Sequence, residues 1–257
     1  MVCTTVRPGT LAWVLLLLAA WLLLLPLAQA QELQDNRAFV EQQYRDFLGR
    51  EGDASGIGYW TGELEAGRIT RAQVADDFFR SAEFQNSIAP VARLYFSYFN
   101  RVPDYAGLQF WVQAFQGGGS LDAMSQAFAD SAEFVATYGA LDDGAFVDLV
   151  YWNVLGRLPD AGGRAFWIGE LAAGMSRGAL MIGFSEFEEY RQRSFQAVQV
   201  TMMYVSMLRR TPEQGGFDYW VAELAAGGSI LELIGDILDS TEYGDRFTGA
   251  SAARAPG

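Results

Sequence analysis

Four tryptophans recur at nearly constant spacing along the chain, and this spacing constrains the fold more than any other feature. Trp60, Trp111, Trp167 and Trp220 lie 51, 56 and 53 residues apart. Residues of fixed type recur 16, 10, seven and four positions before each tryptophan, and a glycine recurs seven positions after it. Self-similarity with a period of about fifty residues is the signature of a repeat protein. The sequence therefore predicts four tandem copies of one structural unit.

The recurring residues form a motif around each tryptophan. The tyrosines are Tyr44, Tyr95, Tyr151 and Tyr204. The arginines are Arg50, Arg101, Arg157 and Arg210. The acids are Asp53, Asp104, Asp160 and Glu213, and the glycines are Gly56, Gly107, Gly163 and Gly216. An aromatic residue directly precedes each tryptophan: Tyr59, Phe110, Phe166 and Tyr219.

Each repeat is predicted to contain three helices. Apolar residues at helical spacing, such as Phe39, Tyr44 and Phe47, predict a first helix. The recurring acid is placed to cap a second helix, on which the indole would lie over the motif glycine one turn before it. Capping boxes starting at Thr70 and Ser229 predict a third helix. No stretch alternates with the period of a strand. The predicted fold class is all-α, a tandem array of four three-helix repeats after an N-terminal signal peptide.

The helix ends vary among the copies. Each first helix is expected to end in the left-handed conformation, which suits the glycine or asparagine found in three copies but not Arg209. Each third helix is expected to finish in a Ser-x-Glu-aromatic segment, such as SAEF at residues 81–84. The third copy departs from this pattern, because it reads FSEF at residues 184–187 after a segment about three residues shorter. A departure in one unit marks a candidate specialised surface.

The first thirty residues are predicted to be a signal peptide. An apolar run extends from Leu11 to Leu27, and Ala28 and Ala30 provide small residues for cleavage. An uncleaved anchor is the alternative, since a run of that length can span a bilayer. The repeats are expected at residues 31–87, 88–139, 140–194 and 195–247, with a flexible tail at residues 248–257. The chain is thus expected to be exported, to the periplasm or the cell surface.

The composition excludes several classes of function. The formal net charge is −13, there is no histidine, and the single cysteine, Cys3, lies in the predicted signal peptide. The exported part therefore lacks the residues for a Ser-His-Asp triad, an HExxH zinc site or a thiolate metal site. A strongly acidic surface also repels nucleic acid and anionic lipid. We expect no nucleic-acid partner, and membrane contact only through an uncleaved signal segment.

The motif resembles that of a known family. The segment YRDFLGR at residues 44–50, followed by Asp53, Gly56 and Trp60 and then by SAEF at residues 81–84, is similar to the bacterial domain-of-unknown-function family 4214. That family in turn resembles the helical phycobilisome linker domain. The resemblance covers nearly all of the exported part and implies an all-helical fold, often in exported or surface proteins. It implies no reaction, and the likeness to linkers suggests protein–protein adhesion by analogy of fold alone.

The recurring arginines and aromatic residues each have a structural and a functional interpretation. The arginines could form an anion-binding row. We expect instead that each pairs with the acid three residues later or with the glutamate of the Ser-x-Glu-aromatic segment. The aromatic residues could form sugar-stacking platforms. Aromatic residues at helical spacing more often belong to the core, and we expect that here.

The acidic residues provide two further candidates. Adjacent acids could ligate Ca²⁺, although they do not stand in an EF-hand pattern: Asp76-Asp77, Asp142-Asp143 and Glu188-Glu189. A carboxylate hydrolase needs one acid of raised pKa and a second one opposite it. The recurring glutamates are Glu63, Glu170 and Glu223 in three copies, and Glu83, Glu133, Glu186 and Glu242 in all four. A catalytic pair should be singular, so acids repeated in every unit indicate structural roles. The recurring serines have no neighbouring base to activate them: Ser81, Ser131 and Ser240.

We therefore expect no catalytic, cofactor-binding or metal-binding residues. The predicted function is that of an exported, non-enzymatic binding or scaffolding module at the cell envelope. Its expected partner is another envelope or extracellular protein, or a surface polysaccharide. Two alternatives remain at this level: a cell-wall or polysaccharide-directed carboxylate hydrolase, and a Ca²⁺-dependent adhesion module. The sequence is also compatible with either one globule or an open, curved array of repeats.

Overall fold

The computed structural model describes residues 35–247, and all the regular structure in that range is helical. The all-α prediction is confirmed. The predicted signal peptide at residues 1–30 and the predicted tail at residues 248–257 lie outside the described residues. Between residues 35 and 247, no helix is long and apolar enough to cross a membrane.

The helices follow the four repeats in chain order. The first repeat contains α1 (Asn36–Leu48), α2 (Ala54–Glu65), α3 (Arg71–Arg80) and α4 (Ala82–Ser87). The second contains α5 (Ala89–Phe99), α6 (Tyr105–Gln116), α7 (Leu121–Ala129) and α8 (Ala132–Tyr138). The third contains α9 (Asp143–Val150) with a π-helical turn (Tyr151–Leu155), then α10 (Ala161–Ala172) and α11 (Arg177–Ser185). Helix α12 (Glu188–Met203) leads into the fourth repeat, which continues with a π-helical turn (Tyr204–Leu208), α13 (Gln214–Ala225), α14 (Ile230–Asp239) and α15 (Thr241–Asp245).

The recurring acid caps the second helix in three of the four repeats. Asp53, Asp104 and Asp160 each accept a hydrogen bond from the backbone N–H of the motif glycine three residues later. Such a bond satisfies one of the free amide groups at the start of a helix. Glu213 makes no such bond, and glutamate is not among the residues that favour this position.

The third helices begin at Ser or Thr, as predicted. Thr70 and Gln73 form the expected reciprocal capping box. The box predicted at Ser229 is not formed, because the Ser229 hydroxyl accepts its bond from the amide of Leu231 instead. The start of this helix was therefore predicted correctly, but not the bonding at that start.

All four first helices end in the left-handed conformation. The backbone φ is 65° at Gly49, 47° at Asn100, 66° at Gly156 and 56° at Arg209. The expectation that Arg209 would differ was wrong. This conformation costs a residue with a Cβ atom roughly 1–2 kcal/mol, so Arg209 adopts an intrinsically unfavourable backbone conformation in the fourth repeat.

The Ser-x-Glu-aromatic segment starts a short fourth helix, where we expected it to end the third. Ser81, Ser131 and Ser240 each accept a hydrogen bond from the amide of the aromatic residue three positions later. These serines are therefore the N-caps of α4, α8 and α15. The three predicted helices are still present in every repeat.

The third copy is not shortened, which corrects the sequence prediction. Phe187 stands at the N-cap of α12, eleven residues after the cap Ser176, and the caps in the other repeats have this same separation. Phe187 thus occupies the place of the capping serine. Glu189 and Tyr190, not Glu186 and Phe187, are the equivalents of Glu83 and Phe84. Tyr190 is 4% exposed, as expected for that core position, whereas Phe187 is 63% exposed.

One hydrophobic core runs through all four repeats, and two helices pass through its middle. Residues 89–98 of α5 and residues 198–203 of α12 are buried without exception. The ring of Phe96 on α5 stacks against Phe217 on α13, with the centroids 5.9 Å apart. These contacts join repeats that are not neighbours in sequence.

The last repeat also closes on the first. The guanidinium of Arg246 donates to both carboxylate oxygens of Asp46, over 2.7 and 3.0 Å. Gln43 lies 3.4 Å from the Tyr243 hydroxyl, and the Gln199 amide donates to Asp76 over 2.7 Å. The four repeats therefore form one globule and not an open array.

Candidate functional site

The centre of each motif is a cluster of three aromatic rings, one from each of the first three helices of the repeat. In the first repeat the ring of Phe78 packs edge-on against Tyr44, with centroids 4.8 Å apart, and lies 5.9 Å from Trp60. The same cluster recurs in the second and third repeats: Tyr95, Phe128 and Trp111, then Tyr151, Phe184 and Trp167. These rings build the interior of the repeat, as expected for core aromatic residues.

The motif glycine makes room for the hydroxyl group of the motif tyrosine. A methyl group on Gly56 would overlap the Tyr44 hydroxyl oxygen, and one on Gly107 would lie 2.7 Å from that of Tyr95. The prediction that the indole covers the glycine was therefore wrong, although the need for a small residue was predicted correctly. Burial raises the pKa of Tyr44, and raises that of Tyr95 to about 12, so both hydroxyl groups stay protonated.

The motif arginine forms a bidentate ion pair with the glutamate of the short fourth helix in three repeats. Arg50 donates to Glu83 over 2.6 and 2.7 Å, and the second and fourth repeats show the same pairing: Arg101 with Glu133 and Arg210 with Glu242. The hydrogen bonds from Arg50 hold the pKa of Glu83 below its usual value. For these three repeats the predicted structural role of the arginine is confirmed.

The third repeat lacks this ion pair. Arg157 lies over the Tyr151 ring at 5.5 Å, but among residues 35–247 it has no carboxylate within ion-pair distance. Glu186, which the sequence had suggested as its partner, instead receives two hydrogen bonds from the buried Arg93 of the second repeat, over 2.6 and 2.8 Å. The prediction of a matching pair in this copy was wrong, and among the described residues Glu189, which is the structural equivalent of Glu83, does not pair with Arg157 either.

One motif position is exposed in every repeat. The aromatic residue before each tryptophan is 59% exposed at Tyr59, 62% at Phe110, 57% at Phe166 and 56% at Tyr219. Each lies edge-on against its tryptophan, with ring centroids 5.0 to 5.2 Å apart. The expectation that all the recurring aromatic residues are core was wrong for these four. Helical geometry could have identified them, because adjacent residues on a helix do not face the same way.

The third repeat exposes further apolar side chains. Trp152 is 60% exposed, Leu158 is 66% exposed and Phe187 is 63% exposed. Phe187 holds the place of the capping serines of the other repeats, which are partly exposed. Among the described residues, the copy that departs in sequence thus also has the largest number of exposed large apolar side chains.

Several of the candidate acids lie in structural contacts. Asp76 pairs with Arg80, Asp143 pairs with Arg177, and Asp142 caps α9. Glu63 forms two hydrogen bonds with Arg68. In the described part of the chain, no three histidine, cysteine, aspartate or glutamate side chains converge into a group that could hold a metal ion.

Comparison with known proteins gives one match. The family described as Domain of unknown function (DUF4214) matches four times, at residues 28–88, 90–137, 125–194 and 190–247. Among curated proteins and solved structures, none is significantly similar to the chain. The four matches agree with four tandem copies of one motif.

Proposed function

The chain belongs to the DUF4214 family, and from that premise we propose that it is an exported, non-enzymatic binding module of the cell envelope. Its contact residues are the four exposed aromatic side chains that precede the motif tryptophans. Its partner is an envelope or extracellular protein, or a surface polysaccharide.

The exposure of these four side chains carries the proposal. The other motif residues have tasks within the repeat, each in three of the four copies: the tyrosine fills the space at the glycine, the acid caps a helix, and the arginine binds the glutamate. The aromatic residue before the tryptophan has more than half of its surface exposed in every copy. Aromatic side chains supply much of the energy at binding surfaces, because they bury a large area at little entropic cost.

The paired acids favour binding over hydrolysis. A general acid needs an environment that raises its pKa, such as an apolar pocket. The pKa of Glu83 is instead lowered by Arg50, and that of Glu63 by Arg68. Glutamates held ionised by arginine are poor proton donors near neutral pH.

The proposal is tested by replacing the four exposed aromatic residues together with alanine. Binding of the purified variant would be measured by co-sedimentation with isolated cell-wall polysaccharide, and by cross-linking to envelope proteins of the host. We expect the wild-type protein to bind in one of these assays, and the fourfold variant to lose that binding while keeping its helical circular dichroism spectrum.

A matched control replaces exposed non-aromatic residues of three of these four helices with alanine: Glu65, Gln113 and Asp218. This control should bind like the wild-type protein. Equal binding by the fourfold variant and the wild type would refute the proposed contact residues. Release of reducing sugar from the polysaccharide by the wild-type protein would refute the non-enzymatic assignment.

A further inference from the structure

The fourth repeat differs from the other three at the centre of its aromatic cluster. Phe78, Phe128 and Phe184 stand eight residues after the cap of the third helix, and each packs between the motif tyrosine and tryptophan. The residue at that place in the fourth repeat is Ile237. Isoleucine is smaller than phenylalanine and has no ring to pack against the motif tyrosine and tryptophan.

A cavity of about 200 Å³ lies where the third ring would be. Tyr204, Trp220 and Ile237 line it, together with Leu208 and Leu233. The tyrosine is also placed differently: a methyl group on Gly216 would be 3.7 Å from the Tyr204 hydroxyl oxygen, where the other repeats leave no such space. An engineered apolar cavity of roughly 150 Å³ can hold a benzene molecule, so this one has room for a six-membered ring.

Part of the cavity lining is polar. Arg210, Asp236, Ser240 and Glu242 also line it. Arg210 and Glu242 neutralise each other through hydrogen bonds of 2.5 and 2.9 Å. Asp236 is exposed and, within residues 35–247, forms no hydrogen bond or ion pair, so its carboxylate is available to a ligand that donates hydrogen bonds.

The backbone beside the cavity is strained. Arg209, with φ of 56°, lies between Leu208 and Arg210, which both line the cavity. A non-glycine residue in this conformation costs roughly 1–2 kcal/mol, and the equivalent residues Gly49 and Gly156 adopt it at the ends of the other first helices without such a cost. Asn100 is the other residue of this kind in the described chain, and asparagine tolerates the conformation better.

The ligand chemistry follows from these groups. The two aromatic lining residues suit a ring with apolar faces, and the polar lining residues suit hydroxyl groups on its edge. The lining carries two carboxylates and one guanidinium, in a chain of net charge −13, so an anionic ligand is disfavoured. From this cavity we infer that the fourth repeat binds a single uncharged pyranose unit of a glycan, in contact with Tyr204, Trp220 and Ile237.

This site is separate from the four exposed aromatic residues, and neither proposal requires the other. The test uses two-dimensional NMR of the purified protein, with the indole N–H signal of Trp220 identified by its loss in Trp220→Phe. The probes are glucose, N-acetylglucosamine and their linear oligomers, with glucuronic acid as the anionic counterpart. A monosaccharide of about a dozen heavy atoms should bind with a dissociation constant on the order of 1 mM.

We expect at least one neutral probe to shift the Trp220 signal in a saturable way, and glucuronic acid to have no effect. Ile237→Phe should abolish the shift by restoring the ring found in the other repeats. Ile237→Val leaves the cavity open and should keep the binding, as a matched change at the same position. Asp236→Asn keeps the hydrogen-bonding capacity without the charge, and should weaken binding by less than about tenfold.

Three outcomes would overturn the inference. The first is a Trp220 signal that no neutral sugar shifts. The second is a shift that survives in Ile237→Phe, which would place the ligand elsewhere. The third is that free arginine binds and no neutral sugar does, with the arginine binding lost in Asp236→Asn and at high salt. The cavity would then be a pocket for a basic side chain of a partner protein. None of these outcomes depends on the fourfold alanine variant.

Discussion

At the scale of single residues, the motif glycine is explained by a neighbour on another helix. Gly56 lies within α2, where glycine is less favourable than alanine by about 1 kcal/mol. The fold keeps it because the Tyr44 hydroxyl group of α1 occupies the space of a side chain. The recurrence of the glycine predicted a close contact. Which residue makes that contact depends on the angle between two helices, and a sequence pattern does not contain that angle.

We predict that Gly56→Ala destabilises the protein by about 1–3 kcal/mol, because the added methyl group overlaps Tyr44. Gly58→Ala, two residues further along the same helix, has open space around it and should stabilise the protein by up to about 1 kcal/mol. Urea unfolding of both variants measures the difference. Equal effects of the two substitutions would show that Tyr44 does not constrain this position.

At the scale of helices, one ion pair joins the end of the first helix to the short fourth helix. The Arg50 and Glu83 side chains are both about two-fifths exposed, so solvent screens their attraction. We predict a coupling free energy of roughly 0.3–1 kcal/mol from a double-mutant cycle with Arg50→Ala and Glu83→Ala. The matching cycle at Arg157 and Glu189, where no ion pair forms, is the control and should show no measurable coupling.

This ion pair should also depend on pH in a defined direction. Arg50 lowers the pKa of Glu83 in the folded protein relative to the unfolded chain. The stabilisation is therefore complete above the unfolded pKa of the glutamate, and is lost as the pH falls through the folded value. Unfolding of the wild type and Glu83→Gln, compared from pH 7 down to pH 3, should show a stability difference that shrinks toward acid. A constant difference would contradict the role of the ionised carboxylate.

The capping position of α12 offers a prediction on helix starts. Phe187 makes no side-chain cap, whereas serine caps the equivalent helix in the other three repeats. We predict that Phe187→Ser stabilises the protein by about 1 kcal/mol, because its hydroxyl can accept a bond from the amide of Tyr190. Phe187→Ala removes the exposed ring without adding a cap, so it should stabilise the protein less than Phe187→Ser does. Thermal unfolding of both variants measures the difference.

At the scale of the whole molecule, the sequence predicted the units but not their arrangement. Tryptophan spacing, capping residues and helical periodicity are local signals, and they predicted the helices of each repeat. Closure of the fourth repeat on the first depends on residues that do not recur among the copies, such as Asp46 and Arg246, which lie 200 positions apart. The cavity of the fourth repeat could be predicted from the sequence only in part. The isoleucine at position 237 was visible in the sequence, but its meaning required the packing of Phe78 and its equivalents.

The buried ion pair between Asp46 and Arg246 provides the test of closure. Their side chains are 2% and 7% exposed, and Arg246 also donates to the carbonyl oxygen of Met207. Asp46→Ala would leave the guanidinium buried without its counter-charge, at a cost of about 3–5 kcal/mol. Asp148→Ala removes the partner of Arg164 from a much more exposed pair, and should cost far less. In a closed globule the first substitution should speed hydrogen exchange in both α1 and α15 and lower the unfolding midpoint of the whole protein. In an open array its effect would stay within the first repeat, since each unit there contacts only its sequence neighbours.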